Sequence, residues 1–202
     1  MLALLLAALA VTEGDFVVRD FRFASGETLP ELRLHYRTLG RPGSPAVLVL
    51  HGTTGSGAQF LGETFAGELF GPGQLLDAAK HFIILPDGIG HGGSSKPSDG
   101  LHARFPRYRY ADMVEAQRRL LVEKLGVTHL VLIAGTSMGC MHSWMWAEAQ
   151  PKFMNAVLAL ACLPVQIAGR NHDHAARRRP DGPSAHRRLL LGSLPAIAGT
   201  IG

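Results

Sequence analysis

Short, continuous runs of apolar residues recur along the chain, and segments with helical periodicity separate them. The runs occupy residues 46–50, 81–85, 129–134 and 156–161. Such a run is typical of a strand that is buried on both faces, as in the interior of a parallel sheet. Strands that alternate with helices form a mostly parallel sheet with helices on both faces. The pattern therefore predicts an α/β fold.

The chain begins differently, with alternating rather than continuous apolar segments. Residues 16–23 and 32–39 alternate between apolar and polar side chains, which predicts an antiparallel pair of strands ahead of the parallel part. The clearest predicted helix covers residues 111–125. Asp112 near its start and Gly126 just past its end match the dipole and C-cap preferences of helices. A second helix is predicted over residues 138–150.

Length and charge divide the chain into three parts. With 202 residues and 47% hydrophobic content, one domain is expected, and we place its core at residues 16–170. Residues 171–202 are predicted to be an Arg-rich tail. From Arg170 onward the chain carries six arginines and two aspartates, which accounts for the whole net charge of +4. The body is neutral, so no nucleic-acid partner is predicted, although a basic tail is able to contact phosphates.

Residues 1–15 form a signal-like segment. An apolar run over residues 2–11 resembles the hydrophobic region of a secretory signal, but no positively charged residues precede it. It is too short to span a membrane as a helix. The segment is either a secretory signal or an ordinary N-terminal helix. A signal implies a periplasmic or secreted location, which is slightly favoured, and a helix implies a cytoplasmic one.

The two cysteines, Cys140 and Cys162, are too few for a disulfide framework. Neither lies in a spacing with histidine that is typical of a zinc site, so no metal is predicted. Free cysteine is among the most buried residue types. We therefore expect both to be small, buried, apolar side chains.

The sequence Gly135-Thr136-Ser137-Met138-Gly139 directly follows one apolar run and precedes the second predicted helix. A serine on such a tight turn between strand and helix has its hydroxyl lifted out of the sheet edge, and glycines two residues before and after avoid collisions. The pattern predicts that Ser137 is a catalytic nucleophile. The alternative is a glycine-rich turn with an incidental serine.

An acyl-transfer site also needs an oxyanion hole of two backbone N–H groups. One comes from the residue after the nucleophile, here Met138, and the other from a loop after an earlier strand. The loop at residues 51–57 follows an apolar run in the right chain order, and Thr53 is the candidate donor. For His51 we favour a structural role in bracing this loop over a catalytic one.

The segment Gly88-Ile89-Gly90-His91-Gly92-Gly93 has the spacing of a dinucleotide-binding loop. In such a site the glycines begin a helix that binds the pyrophosphate. Here turn-forming residues 94–100 follow instead, so a nicotinamide or flavin site is disfavoured. No cofactor is predicted.

Together these segments resemble the homoserine O-acetyltransferase-like branch of the α/β-hydrolase superfamily. The resemblance extends from about residue 16 to residue 170. It is carried by HGTTGSG at 51–57, PDGIGHG at 86–92, FPRYRYADMVEAQ at 105–117 and GTSMGCM at 135–141. It implies an α/β-hydrolase fold and a ping-pong reaction. Ser137 would take an acyl group from a small ester or thioester, and water or an alcohol would then remove it.

Four positions depart from the acetyltransferase pattern. Thr136 and Cys140 stand where glycine is usual, and Gly52 and Thr53 stand where an Ala-Leu pair is usual. We therefore predict the broader class, an ester hydrolase or O-acyltransferase. The alternatives are a homoserine O-acetyltransferase with acetyl-CoA as co-substrate, and a non-catalytic binding module that keeps the hydrolase pocket.

The catalytic acid and base of the superfamily follow the nucleophile, after two further strands. No further strand-helix-strand pattern follows residue 161. The acidic and histidine side chains there lie within fifteen residues of one another, so none is assigned; they are His172, Asp173, His174, Asp181 and His186. Without a base, a serine is a poor nucleophile, and we expect little or no turnover. An unpaired apolar edge at residues 156–161 would also favour homo-oligomers or aggregation.

The resemblance stops abruptly after Asn171, which predicts a shifted or truncated reading frame. We expect another frame of the encoding DNA, downstream of codon 171, to encode further strands and helices with a late aspartate and histidine. Sequencing and translating that region tests this, and the absence of such a pattern in all frames would contradict it.

Overall fold

The computed structural model describes residues 10–163, which form one mixed sheet of six strands and two main helices. The strands are β1 (Val11–Arg22), β2 (Thr28–Leu39), β3 (Ala46–Leu50), β4 (Phe82–Pro86), β5 (Leu130–Thr136) and β6 (Met154–Leu160). The helices are α1 (Tyr110–Arg119) and α2 (Met138–Ala149). Two short helical turns, Gly57–Leu61 and Glu63–Gly67, lie between β3 and β4.

The strands lie in the order β1-β2-β4-β3-β5-β6. β3 pairs in parallel with β4 and β5, and β5 pairs in parallel with β6. β2 pairs antiparallel with both β1 and β4. The predicted α/β-hydrolase architecture, a mostly parallel sheet preceded by antiparallel strands, is therefore confirmed.

Several elements have bounds that differ from the predicted ones: β2 begins four residues earlier than predicted, and β1 and the first predicted helix differ further. β1 begins at Val11, five residues before the predicted start, because β2 is long enough to pair with it as far as Leu39. Residues 11–15 of the predicted signal-like segment are thus strand, and residues 1–9 lie outside the described part. The predicted helix 111–125 is α1 followed by a wider helical turn, Leu120–Lys124, and it ends before Gly126, whose φ is +66°.

Alternate side chains of the central strands fill two apolar layers. On one face, Leu48 and Ile84 pack in a cluster with Trp146 of α2 and with side chains of α1. On the other face, Val47 and Ile83 pack in a cluster with residues of the segment between β3 and β4. Every residue of β3 and β4 is buried, which explains why their sequences are continuously apolar.

The start of α1 is fixed by a buried carboxylate. Asp112 accepts hydrogen bonds from the backbone N–H groups of Arg109 (2.8 Å) and Ala24 (2.6 Å). The first bond satisfies a free donor at the helix N-terminus, and the second ties α1 to the segment after β1. Within residues 10–163 no helix is both long enough and apolar enough to cross a membrane. The predicted tail, residues 171–202, lies outside the described residues.

In the described part of the chain, β6 is paired on one side only, by β5. Leu158 and Leu160 of β6 are 44% and 43% exposed. Placed two residues apart, they lie on the same face of the strand. An exposed apolar edge strand is a template for association with other chains.

We expect the double substitution Leu158→Lys/Leu160→Lys to reduce self-association of the 202-residue chain, because charge at an edge opposes strand addition. Light scattering against protein concentration measures it. Leu75→Lys is the matched control, since Leu75 is 76% exposed but lies in the loop between β3 and β4. Equal association of the double variant and the unchanged chain would contradict the prediction.

Candidate active site

Three glycine-rich loops meet at one edge of the sheet. They follow β3, β4 and β5, and cover residues 51–57, 87–93 and 135–139. These three strands are parallel neighbours, so their carboxyl ends lie side by side. In open α/β sheets this edge is where ligands bind.

Ser137 lies at the turn between β5 and α2 and has an unusual backbone. Its φ of 51° and ψ of −110° fall outside the regions that a residue with a side chain normally adopts. Such a conformation costs about 1–3 kcal/mol and persists only where the surroundings enforce it. Here the Ser137 N–H donates to the carbonyl oxygen of Leu160 at the end of β6, at 2.9 Å.

The two glycines that flank Ser137 are required by close backbone contacts. A Cβ atom at Gly135 would overlap the carbonyl group of Gly139, and one at Gly139 would overlap the carbonyl group of Leu50. The turn therefore packs directly against the end of β3. This is the tight strand-to-helix turn that the sequence predicts.

The loop after β3 lies beside this turn. A Cβ atom on Gly52 would be 3.4 Å from the Cβ atom of Ser137. Gly52 begins a tight turn that is closed by a hydrogen bond of 3.1 Å from the Gly55 N–H to the Gly52 carbonyl oxygen. Thr54 has a φ of +67°, so Thr53 is the first central residue of a type II turn.

The N–H groups of Thr53 and Met138 make no hydrogen bond to any described residue. Met138 is the first residue of α2, where the helix dipole favours negative charge. Two free donors thus lie in the two segments that adjoin Ser137, as an oxyanion hole requires.

His51 joins the first loop to the second. The Gly88 N–H donates to His51 Nε2 at 2.9 Å, so the ring proton is on Nδ1, which donates to the Gly52 carbonyl oxygen at 2.8 Å. Burial lowers the pKa of His51 and keeps the ring neutral. Both ring nitrogens are thus engaged with backbone groups, as expected for a histidine that braces the loop.

Asp87, which was not predicted as a site residue, joins the loops at residues 51–57 and 87–93. Its buried carboxylate accepts hydrogen bonds from the backbone N–H groups of Gly57 (2.7 Å) and Gly93 (2.8 Å) and from Arg37 (3.1 Å). The loop at residues 88–93 is therefore organised around a protein carboxylate. Irregular residues 94–96 follow it, and the next helical turn begins only at Pro97, so no helix begins where a pyrophosphate would bind.

Residues 45–183 match the family model described as alpha/beta hydrolase fold. The match covers more than half of the chain. The chain belongs to the α/β-hydrolase fold family. The resemblance inferred from the sequence motifs is confirmed at this level.

Among the relatives of this α/β-hydrolase chain are acyltransferases. A homoserine O-acetyltransferase from Natronomonas pharaonis is 34% identical over 161 residues, which is 70% of this chain and 40% of the relative. A probable acyltransferase from Methanothermobacter thermautotrophicus is 32% identical over 196 residues, 89% of this chain and 60% of the relative. The chain thus spans about half the length of these relatives.

Among solved structures, the acetylester hydrolase from Corynebacterium glutamicum is similar to this α/β-hydrolase chain. The TM-score is 0.65 and the identity is 26%, over 72% of this chain and 43% of that protein. The similarity thus includes an enzyme that transfers acyl groups to water as well as enzymes that transfer them to other acceptors.

The expectation of two separate buried cysteines is wrong. Cys140, in the first turn of α2, and Cys162, two residues after β6, form a disulfide with a Cα–Cα distance of 6.0 Å. Cys140 is fully buried as expected, whereas Cys162 is half-buried. The pair was not predicted because only the parallel pairing of β5 and β6 brings these two residues, 22 apart in the chain, together.

A buried histidine of α2 was also missed. Trp146 Nε1–H donates to Gln117 Oε1 at 3.0 Å, which orients the Gln117 amide so that its Nε2–H donates to His142 Nδ1 at 3.3 Å. The proton of His142 is therefore on Nε2, which has no hydrogen-bond partner among the described residues. The Tyr110 ring packs edge-on against His142, with 4.9 Å between centroids.

None of the histidines in residues 10–163 is hydrogen-bonded to Ser137. The histidines and aspartates that were left unassigned, residues 172–186, lie outside the described part of the chain. The described site therefore consists of a serine turn and two free N–H groups, with no base in contact.

The stability of the chain should fall in mild acid because of His142. Burial, followed by the nearby His51 and His91, lowers its pKa to about 3 from an unfolded value of about 6.5. The unfolded state then binds more protons below pH 6.5, so stability that is present above that pH is lost as the pH falls towards 3. At pH 5 the loss from this residue is about 2 kcal/mol relative to pH 7.

We expect His142→Gln, which carries no titrating ring, to reduce the difference in unfolding free energy between pH 7 and pH 5 by about 2 kcal/mol. Urea titrations at the two pH values measure this difference. His129→Gln is the control, because His129 is exposed. An unchanged pH dependence in His142→Gln would show that His142 is not held neutral.

Proposed function

We propose that Ser137 is the nucleophile of a serine acyl-transfer enzyme, either an ester hydrolase or an O-acyltransferase. One observation carries the proposal: Ser137 has φ 51° and ψ −110° at the turn from β5 into α2. A chain accepts this conformation at a residue with a side chain only under constraint, and such strain is concentrated at functional sites. An incidental serine would not need it.

In the proposed reaction, Ser137 Oγ attacks the carbonyl carbon of a small ester or thioester while a base removes the hydroxyl proton. The carbonyl oxygen becomes negatively charged, and the N–H groups of Thr53 and Met138 donate to it. Collapse of this intermediate expels the alcohol or thiol, which takes the proton, and leaves an acyl group on Ser137. Attack by water or an acceptor alcohol then releases the acyl group. No metal or cofactor takes part.

The base is the component that residues 10–163 do not supply. A serine hydroxyl without a base is a poor nucleophile, and the loss of a triad member costs several orders of magnitude in rate. We therefore propose that the 202-residue chain itself has little or no turnover. The acid and base would come from sequence that follows the described residues in the longer relatives.

Transfer to homoserine from acetyl-CoA is the narrower alternative, and it is supported by the homoserine O-acetyltransferases among the relatives. Against it stand Thr136 and Cys140, where those enzymes usually have glycine, and the similarity to an acetylester hydrolase. The broader class is therefore preferred.

A non-catalytic binding module is the second candidate function. The observation that favours it is that Ser137 is not hydrogen-bonded to a histidine in the described part of the chain. Such a module would keep the three glycine-rich loops and bind a small ligand at the sheet edge without reacting with it.

A fluorophosphonate probe separates these candidates. It should react with Ser137 when the chain is continued beyond Asn171 in the frame that resembles the family, because that sequence would add the acid and base. Mass spectrometry of the labelled peptide identifies the site, and Ser137→Ala should remain unlabelled. The 202-residue chain should label at least about a hundredfold more slowly. A continued chain that folds but does not label would favour the binding module.

Thr53 acts through its backbone in this proposal, which allows a matched pair of substitutions. Thr53→Pro removes the N–H at a turn position that favours proline, and Thr53→Ala keeps the N–H. In the continued chain, we expect Thr53→Pro to lower kcat for p-nitrophenyl acetate by roughly 100- to 1000-fold. Thr53→Ala should retain nearly full activity. Equal effects of the two substitutions would exclude Thr53 N–H as an oxyanion donor.

A further inference from the structure

We propose that the Cys140–Cys162 disulfide is a reversible thiol–disulfide exchange site that controls how firmly the Ser137 turn is held. The inference concerns the backbone of the turn and does not depend on the proposed acyl transfer. Three features carry it: the position of the cross-link, the backbone conformation at both of its ends, and the unequal exposure of its two cysteines.

The cross-link lies where the pairing of β5 with β6 ends. The last paired residues are Thr136 and Leu160. Immediately beyond them, the Ser137 N–H donates to the Leu160 carbonyl oxygen, and Cys140 is bonded to Cys162. The last residue of β6 is therefore hydrogen-bonded to the Ser137 turn, and the segment after β6 is covalently bonded to the first turn of α2.

The backbone next to the cross-link is strained on both sides. Ser137, three residues before Cys140, has a φ of +51°, and Ala161, directly before Cys162, has a φ of +60°. A non-glycine residue in this region is uncommon and is held there by its surroundings. The disulfide fixes Cys162, and hence Ala161, against α2. When it is reduced, Ala161 is free to return to an ordinary conformation, which would displace the Leu160 carbonyl group from Ser137.

The two cysteines differ in access to solvent. Cys140 is fully buried in the first turn of α2, whereas Cys162 is half-buried between the exposed residues Ala161 and Leu163. A thiolate of a dithiol reductant therefore attacks Cys162 Sγ and forms a mixed disulfide there, and Cys140 leaves as the thiolate. The second thiol of the reductant then attacks the reductant's first sulfur, which is bonded to Cys162, and Cys162 leaves as a thiolate. The protein gains two electrons and two protons, and the reductant becomes a cyclic disulfide.

Alkylation of the 202-residue chain tests the exchange site. With iodoacetamide and no reductant, mass spectrometry should find neither cysteine alkylated; after dithiothreitol, both should be alkylated. The matched single variants test the direction: Cys162 in Cys140→Ser should react about tenfold or more faster than Cys140 in Cys162→Ser, because reactivity follows exposure. Alkylation of both cysteines in the untreated chain, or equal rates in the two variants, would overturn the assignment.

Hydrogen exchange tests the control of the turn. On reduction, the amides of residues 137–141 and 158–163 should exchange about tenfold or more faster, since the cross-link no longer restrains local opening. Strand β1, which is remote from the cross-link in the sheet order, is the internal control and should not change. The Cys140→Ser/Cys162→Ser variant should show the fast pattern with or without dithiothreitol.

Unchanged exchange at residues 137–141 after complete reduction would overturn the proposed control even if alkylation confirms the disulfide. Faster exchange in β1 as well would mean general unfolding and would also contradict it. Because neither measurement uses enzyme activity, these outcomes are separate from a failure of Ser137 to react with a fluorophosphonate.

Discussion

The backbone of Ser137 is the constraint on which the rest of the site depends. A φ of 51° at a residue with a side chain requires that the chain be held on every side. β5 leads into the turn, α2 leads out of it, the Leu160 carbonyl group accepts the Ser137 N–H, and the end of β3 packs so closely that Gly135 and Gly139 have no room for a Cβ atom. The parallel order β3-β5-β6 is thus required for the turn as much as for the core.

The loops at residues 51–57 and 87–93 are held at this edge of the sheet by two polar side chains. The apolar pattern of the sequence does not reveal such side chains. Asp87 binds backbone donors from both loops, and His51 links Gly88 to Gly52, so the segment with Thr53 is positioned by a carboxylate and a neutral ring. Both groups are buried and satisfied by hydrogen bonds, which such groups need in a protein interior. The loops are therefore held in place by the protein's own groups, which is the preorganisation that electrostatic stabilisation of an oxyanion requires.

The sequence predicted the features whose causes are local. Continuous apolar runs predicted β3 and β4 because every residue there is buried, and glycine spacing predicted the turn at Ser137 because a single backbone conformation demands it. Features that join distant segments were not predicted. Asp87 and His142 have no local pattern that reveals their partners, and Cys140 meets Cys162 only because β6 adds in parallel to β5. Such polar and covalent contacts depend on which strands become neighbours in the sheet. A pattern within one short segment of sequence does not reveal that.

The proposed acyl transfer has two requirements, and the described residues meet only the first of them. The first is stabilisation by shape and charge, which in the proposal comes from Ser137 and the free N–H groups of Thr53 and Met138, after β3, after β5 and at the start of α2. Activation needs a base that contacts the serine, and no histidine in residues 10–163 does so. His51 and His142 lie in the same region. His51 is hydrogen-bonded to backbone groups, and burial lowers the pKa of His142 to about 3 and keeps its ring neutral. In each ring the unprotonated nitrogen already accepts a hydrogen bond, from the Gly88 N–H in His51 and from Gln117 in His142. The geometry of the proposed nucleophile and its chemical activation are therefore separate requirements, and the first does not imply the second.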